Sequence, residues 1–305
     1  MENRDLKTFA ICNGIIFTIC DDRSASYLHN KYHIGIMKEN NLNLKPYEAI
    51  YLVLLDRLKP VNTFYNSIHK LLAELISEDD IARMKTYIEI KKEGAKVSIE
   101  KDHFLVARKQ EKNEKARKVN PIMENSSVNR EWFSDLVDSY VASVDEDGDI
   151  TYYFISEVTM TGKNEIQPIQ ASLEKIGRRS FSSHESIPQW MGYSIGDVKA
   201  LSHHETMMIE GSSTDEPVFK VYLYLVQHGL IVKSGFKYGC NFRAYRASID
   251  SHSDFLVQIF SNKMEWYEVS RAVRVANSVR KEMIFSIEEN DKLKFIKVKR
   301  VRSIF

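Results

Sequence analysis

The sequence of 305 residues lacks several features that define broad protein classes. It has only three cysteines, Cys12, Cys20 and Cys240, and no CxxC pair, which excludes a disulfide framework or a zinc site and favours a reducing compartment. The most apolar early stretch, residues 9–20, is too short to cross a bilayer. No basic start followed by a small-residue cleavage site marks a secretory signal. We therefore expect a soluble, cytoplasmic protein that does not act in a membrane.

A large charge of one sign is also lacking, because the formal net charge is +1. The whole-molecule charge therefore does not indicate a nucleic-acid-binding protein. The distribution is more informative, since Arg271 to the end holds ten Lys or Arg against four Asp or Glu, whereas residues 145–149 are acidic. An acidic loop could thus complement a basic cleft, within one chain or between two.

The apolar content, 43% of the residues, is enough for two cores or one large core. The two halves of the chain resemble each other weakly in three blocks that keep the same order, which predicts a duplication with a boundary near residues 157–164. The paired blocks are Leu44–Glu48 with Leu201–Glu205, Tyr87–Val97 with Tyr222–Val232, and Ser143–Tyr153 with Ser286–Ile296.

The hydrophobic pattern predicts both helices and strands. A helix is expected from Pro46, with Tyr47, Ile50, Tyr51, Leu54, Leu55 and Leu58 on one face. The polar segment Lys109 to Arg130 is predicted to be a long loop of the first half. In the second half, helices are predicted at about 217–228 and 265–279, and strands at about 230–234, 241–247, 254–260, 282–288 and 292–300.

These elements predict a mixed α/β (α+β) fold in two tandem repeats. Each repeat would hold a small α/β N-terminal subdomain and a mixed-sheet domain. The predicted segments are 1–75, 76–157, 158–215 and 216–305, of which the last is the candidate catalytic domain.

Three motifs near the end of the chain carry chemistry. They are GFKYGCNFRAY at Gly235–Tyr245, a histidine at His252, and RVANSVRKEM at Arg274–Met283. Together they supply a tyrosine, a histidine and a lysine: Tyr245, His252 and Lys281. Such a trio can cut RNA without a metal, because one group takes a proton, one gives a proton and one stays positive beside the phosphate.

At these residues the chain closely resembles the archaeal tRNA-splicing (tRNA-intron) endonucleases. The resemblance rests on VKSGFKYG at Val232–Gly239, FRAY at Phe242–Tyr245, His252 followed by Ser253, and RVANSVRK at Arg274–Lys281. It covers the last 90 residues strongly and the rest through the duplication. It implies that Tyr245, His252 and Lys281 form a catalytic triad in a domain with a restriction-endonuclease-like mixed sheet.

The resemblance further implies cleavage of precursor tRNA at bulge-helix-bulge exon–intron junctions. The 2′-hydroxyl of the RNA would attack the phosphate in a lyase-type transesterification without a cofactor, leaving a 2′,3′-cyclic phosphate and a 5′-hydroxyl. We assign His252 as the acid, Tyr245 as the base and Lys281 as the group that stabilises the transition state. The reverse order of acid and base fits the residues equally well.

In this family, a chain with two copies and one active copy assembles as a homodimer. The first copy is expected to be inactive, because Ala107 and Asp138 align with Tyr245 and Lys281 and no histidine lies between Phe104 and Trp132. The resemblance assigns a docking loop for the partner's active copy to Asp145, Glu146, Asp147 and Asp149. It assigns a clamp on a flipped base to Arg274 and a second residue, either Lys297 or Arg300.

Two other functions fit part of the sequence. A metal-dependent nuclease of the restriction type would need paired carboxylates, and although Asp254 is present, no acidic-x-Lys follows in Gln258–Phe260. A non-catalytic tRNA-binding subunit would fit the first copy but leaves the triad unexplained. His203 and His204 are expected to be surface residues, and Cys240 a small packing residue.

Overall fold

The computed structural model describes residues 8–13, 16–60, 77–108, 116–177 and 179–305. It is a mixed α/β fold, so the predicted fold class is confirmed. The described residues form two compact units. The first draws on Met1–Ser126, Asp138–Phe154 and Val301–Phe305, and the second on Ser127–Val137 and Ile155–Arg300. The four domain segments predicted from the sequence stay a prediction.

The first unit contains a sheet of order β3-β4-β2-β1-β5 and a run of strands of order β6-β7-β8-β10-β11. Helix α3 begins where the side chain of Ser77 accepts a hydrogen bond from the amide of Asp80, and its first turn is acidic and its last turn basic, as the helix dipole favours. The bounds are β1 Thr8–Asn13, β2 Ile16–Ile19, α1 Asp22–Tyr32, β3 Ile36–Lys38, β4 Asn41–Leu44, α2 Pro46–Leu54, β5 Leu58–Pro60, α3 Glu78–Lys92, β6 Lys96–Ile99, β7 Phe104–Ala107, β8 Arg117–Met123, β10 Ser139–Val144 and β11 Ile150–Glu157.

The second unit contains a sheet of order β12-β13-β15-β14, a run of strands of order β16-β17-β18-β20-β21, and the pair β9-β19. Its core joins the apolar face of α6 to Phe242, Phe255 and Ile284 on the sheet. The bounds are β9 Ser127–Asn129, α4 Arg130–Asp135, β12 Glu174–Ile176, β13 Arg179–Ser182, β14 Tyr193–Ile195, β15 Val198–Leu201, α5 His203–Ile209, α6 Pro217–Gln227, β16 Ile231–Ser234, β17 Phe242–Tyr245, β18 Phe255–Ile259, β19 Lys263–Glu265, α7 Trp266–Ser278, β20 Glu282–Glu289 and β21 Lys292–Val301.

One order of elements occurs twice along the chain. The series α3-β6-β7-β8-β9-α4-β10-β11 has the same element types, in the same order, as α6-β16-β17-β18-β19-α7-β20-β21. Each series starts with a helix, a glycine with φ near +80° (Gly94 and Gly229) and a strand. Only a residue without a Cβ adopts this conformation easily. The sequence blocks that suggested a duplication thus fall on matching elements, although the duplication itself stays a prediction.

Two buried glutamates also occupy matching positions. Glu48 of α2 accepts hydrogen bonds from the amides of Gly35 and Lys45 at 2.8 Å. Glu205 of α5 accepts them from Gly192 at 2.9 Å and Ser202 at 2.7 Å. In both places the glutamate closes the N-terminal turn of its helix and ties it to a loop 13 residues earlier.

The two glutamates differ in their charge partners. The Lys233 ammonium lies 3.0 Å from Glu205, whose side chain is only 4% exposed. Burial opposes ionisation of Glu205, but Lys233 and the two amides outweigh it, so its pKa lies below the ordinary 4.5. Burial dominates at Glu48 and raises its pKa above 4.5. Ionised Glu205 therefore stabilises the fold, whereas ionised Glu48 costs free energy at neutral pH.

We expect Glu205→Gln to destabilise the protein at pH 7 by about 3 kcal/mol more than Glu48→Gln. Both changes lose the same kind of amide contact, but only the first leaves Lys233 buried without its counter-charge. Urea unfolding of both variants measures the difference. Because the pKa of Glu205 is depressed, the gap should be complete above pH 4.5 and close as the pH falls below it. Equal losses at pH 7 would contradict this.

A segment ahead of β12 is fastened to the second unit by main-chain hydrogen bonds. The amides of Gly162 and Asn164 donate to the carbonyls of His228 and Gly229 at 2.9 and 3.0 Å, and the amide of Lys163 donates to the carbonyl of Arg246 at 2.7 Å. A Cβ on Gly162 would lie 2.0 Å from the Gly229 oxygen, so no other residue fits there. We call residues 158–164 the strap.

Two expectations for the first half are wrong. Lys109 to Arg130 is not one long loop, because β8 and β9 lie within it; residues 109–115 are outside the described residues. The polar composition of this segment did not indicate strand β8. The buried side-chain amide of Asn120 in β8 donates hydrogen bonds to the Ser139 hydroxyl and the Tyr140 carbonyl. The helix from Pro46 ends at Leu54, and Leu58 lies in β5. Leu54 and Leu55, predicted to face the core, are exposed.

Candidate active site

Three neighbouring strands meet at one edge of the second unit's sheet. Strand β17 runs antiparallel to β18, with Ala244 opposite Phe255. Strand β18 runs parallel to β20, with Phe255 opposite Glu282. The end of β17 therefore lies beside the starts of β18 and β20. This topology brings Tyr245, the turn at residues 246–254 and Lys281 to the same edge.

Tyr245 is the last residue of β17 and is 5% exposed. Because side chains alternate along a strand, it shares a face with Arg243, while Phe242 and Ala244 point into the core under α6. The Arg243 guanidinium carbon lies 5.9 Å from the centre of the Tyr245 ring. A guanidinium cation therefore lies within reach of the Tyr245 ring on this side of the sheet.

His252 is exposed in the turn between β17 and β18. The turn is held in place, because the amide of Arg246 donates to the Asp254 carboxylate at 2.9 Å and the amide of Asp254 donates to the Ala244 carbonyl at 3.0 Å. Asp254, the carboxylate considered for a metal-dependent nuclease, is thus engaged in closing this turn. The imidazole of His252 is accessible to a substrate while its backbone is fixed.

Lys281 is 8% exposed and lies just before β20. Its ammonium donates a 2.8 Å hydrogen bond to the carbonyl of Ser253, the residue after His252. It also lies 6.0 Å from the centre of the Tyr238 ring. An ammonium has three donors, and one of them ties this buried cation to the turn that carries His252.

Two residues beside the triad were not singled out from the sequence, namely Tyr238 and Arg243. Both belong to the quoted fragment Gly235–Tyr245, but nothing in their spacing shows that Tyr238 folds back toward Lys281. The buried Nε of Arg243 has no hydrogen-bond partner among the described residues.

The three candidate clamp residues have different surroundings. Arg274 is exposed on α7, and Arg300 is exposed near the end of β21. Lys297 is half-buried and its ammonium lies 3.2 Å from the Glu282 carboxylate. In the part of the chain that the structure describes, no ion pair engages Arg300, so it is the freer of the two alternatives.

The predicted docking loop is the turn between β10 and β11. The amide of Gly148 donates to the Asp145 carbonyl at 3.0 Å, and the Asp145 carboxylate accepts from the amide of Asp149 at 2.8 Å. Glu146, Asp147 and Asp149 are exposed. Over the described ranges none of the four carboxylates forms an ion pair, although the Lys85 ammonium lies close to Gly148 in the same turn.

The remaining candidates have structural surroundings. His203 is exposed, as expected, but His204 is half-buried and stacks on Tyr222 with ring centres 5.5 Å apart; the surface prediction for His204 is therefore wrong. Burial raises the pKa of the Cys240 thiol to about 11, which disfavours a nucleophilic role. No three His, Cys, Asp or Glu side chains of the described residues group as metal ligands. No described helix has the length and apolar character to span a bilayer.

The family model and the known proteins to which this chain is similar are all described as tRNA endonucleases. Residues 216–295 match a family described as "tRNA intron endonuclease, catalytic C-terminal domain". The chain is 35% identical over 295 residues to a tRNA-splicing endonuclease of Thermoplasma volcanium, covering 96% of this chain and 98% of the relative. It is 30% identical over 298 residues to one of Picrophilus torridus, covering 97% and 98%. A third, from Methanosarcina mazei, is 39% identical over 100 residues, or 31% of this chain and 28% of the relative.

Proposed function

Because this chain belongs to the archaeal tRNA-splicing endonuclease family, we propose that it cuts precursor tRNA at bulge-helix-bulge junctions by a metal-independent transesterification. The observation that carries the proposal is the hydrogen bond from the buried Lys281 ammonium to Ser253, beside His252, at the strand edge where β17 ends in Tyr245.

The reaction uses the RNA's own 2′-hydroxyl as the nucleophile. Tyr245 takes its proton, and the oxygen attacks the adjacent phosphorus. Lys281 neutralises charge that grows on the phosphate oxygens. His252 gives its proton to the leaving 5′-oxygen. The products are a 2′,3′-cyclic phosphate and a 5′-hydroxyl.

The direct test incubates the protein with a precursor tRNA in excess EDTA and identifies the ends formed. We expect undiminished cleavage and 2′,3′-cyclic phosphate ends. Cleavage that stops in EDTA and returns with Mg²⁺ would instead identify a metal-dependent nuclease. A substrate with 2′-deoxyribose at the scissile nucleotide serves as the control, because it lacks the nucleophile and must stay intact.

We propose that Arg274 and Arg300 hold a flipped base between their guanidinium planes, which stack on bases as a lysine ammonium does not. We expect Arg300→Ala to slow cleavage at limiting enzyme by about tenfold. Lys297→Ala should cost less, because it breaks only a partly exposed ion pair. Rates measured below the substrate KM compare the two, and a larger loss from Lys297→Ala would reverse the assignment.

We also propose that the chain is a duplicated molecule, with segments 1–75, 76–157, 158–215 and 216–305, that acts as a homodimer. Its first copy is inactive. The positive-φ residues before β10 and β20 are Asp138 and Arg280, which moves the position equivalent to Lys281 from Asp138, as aligned from the sequence, to Ser139; neither residue carries an ammonium. The exposed carboxylates of the β10–β11 turn dock on a basic surface of the partner.

We expect Glu146→Lys with Asp147→Lys to raise the dimer dissociation constant at least 100-fold, because attraction becomes like-charge repulsion. Precursor-tRNA cleavage should fall with it. Sedimentation velocity and cleavage rates measure the two effects. A matched control, Glu185→Lys with Asp197→Lys, makes the same charge change at other exposed carboxylates. An unchanged dimer in the loop variant would rule out the docking role.

A further inference from the structure

Phe236 is 91% exposed, the highest value for a large apolar side chain among the described residues. It lies on the short 3-10 turn Phe236–Tyr238, between β16 and β17. Water contact with an aromatic ring of this size is unfavourable, and single exposed apolar residues need no explanation by themselves. The surroundings of Phe236 supply the reason to give it a role.

The turn that carries Phe236 is fastened to its own hairpin. The amide of Gly235 donates to the Asn241 carbonyl at 3.0 Å, and the amide of Tyr238 donates to the Gly235 carbonyl at 2.8 Å. The Asn241 side chain accepts a 2.9 Å hydrogen bond from the amide of Ile259 on β18. The exposed ring is thus presented on a braced backbone, which lowers the entropy lost when it binds a partner.

The same turn reaches the triad. Two residues after Phe236, the ring of Tyr238 lies 6.0 Å from the Lys281 ammonium. The charged residues of the hairpin are all basic, because residues 233–246 contain four cations and no Asp or Glu. These cations are Lys233, Lys237, Arg243 and Arg246. Lys233 is paired with Glu205, but the exposed ring shares its hairpin with the other three cations, which fits a nucleic acid, whose bases stack and whose phosphates are anionic.

The matching hairpin of the first unit shows that the fold does not need this ring. Strands β6 and β7 are joined by residues 100–103, Glu-Lys-Asp-His, closed by an amide hydrogen bond from Glu100 to His103 at 3.0 Å. It carries no Phe, Tyr or Trp and includes two carboxylates. Of the two matching hairpins, the one with the exposed aromatic ring is the one that approaches Lys281.

We propose that Phe236 is a substrate-binding residue on which an unpaired nucleobase next to the scissile phosphate stacks. This inference rests on the proposed function, because it concerns the RNA bound at that same site. Stacking on the ring would fix the nucleotide adjacent to the cut, while Lys237 meets the neighbouring phosphate. Because every base has a π face, the contact selects an unstacked nucleotide rather than a particular base.

The test measures binding of a precursor tRNA made non-cleavable by 2′-deoxyribose at the scissile nucleotide, with 2-aminopurine in turn at each unpaired position beside the cut. We expect Phe236→Ala to weaken binding by about 5- to 150-fold, the factor for one stacked base. Phe236→Trp should retain binding, and Phe236→Leu should lose most of it. Wild-type protein should quench the 2-aminopurine emission at one position, and Phe236→Ala should not.

Tyr27→Ala is the matched control, since Tyr27 is an exposed aromatic of the first unit, and it should bind like the wild type. Wild-type binding and quenching by Phe236→Ala would overturn the inference while leaving the proposed function intact. A shift of Phe236→Ala to a smaller oligomer in sedimentation velocity would also overturn it, by identifying a subunit contact. A wild type that neither binds nor cuts precursor tRNA would instead reject the proposed function.

Discussion

His252→Ala is expected to slow precursor-tRNA cleavage by about 10²- to 10⁴-fold, the usual contribution of one proton-transfer group. The loss should be in the chemical step, measured as the single-turnover rate at saturating enzyme. Substrate binding should change little. Because the side chain of His252 is exposed and the turn is closed by Asp254, the fold should be unaffected, so the effect can be assigned to chemistry.

A second exposed histidine of the same unit provides the control for this change. His203→Ala removes an imidazole from α5 and should cleave at the wild-type rate. The pH–rate profile adds a readout that a structural defect would not give, because removal of a proton-transfer group changes the shape of that profile. A His252→Ala enzyme that keeps the wild-type rate would remove histidine from the reaction.

Lys281→Met is expected to slow the single-turnover rate by about 10²- to 10³-fold, as when one donor to a developing oxyanion is removed. Methionine nearly matches lysine in length but cannot neutralise phosphate charge. It also leaves the buried Ser253 carbonyl without its 2.8 Å hydrogen bond, which should cost about 1–3 kcal/mol of stability. The rate must therefore be measured well below the variant's melting temperature.

The control for the lysine is Lys175→Met, which removes an exposed ammonium paired with Glu210 at 2.6 Å. It should change neither rate nor stability by much, because surface ion pairs contribute about 0–1 kcal/mol. Comparing the cleavage rate of Tyr245→Phe with the rates of Lys281→Met and Lys175→Met then separates the loss of the proposed base from the loss of the cation. Unaltered catalysis by folded Lys281→Met would show that the ammonium only supports the His252 turn.

The second half of the chain was predictable because its elements follow simple periodicities. Helix α6 begins at Pro217 and α7 ends at Ser278, each within a residue of the expected bound. The edge that joins the ends of β17, β18 and β20 was implied only by the resemblance, since register and strand order depend on contacts that no local pattern encodes.

The first half was harder to read for a physical reason. Strand β8 carries Asn120 and Pro121 in its middle, residues that usually indicate a loop. Its stability comes from contacts distant in sequence, such as the buried hydrogen bond from Asn120 to Ser139 at 2.8 Å. Lys233 illustrates the same limit in the second half of the chain. No sequence pattern shows that it pairs with Glu205, 28 residues earlier.

The strap at residues 158–164 means that the turn carrying His252 depends on residues far from it in the sequence. The carbonyl of Arg246, one residue past Tyr245, accepts its hydrogen bond from Lys163, and Gly229 accepts from Asn164. A fragment that starts at residue 216 would leave both carbonyls without these hydrogen bonds. It would also expose the Gly229 backbone against which Gly162 packs. Excising the matched family segment should therefore remove contacts that hold the turn between β17 and β18, and we expect full activity only from a chain that keeps its strap.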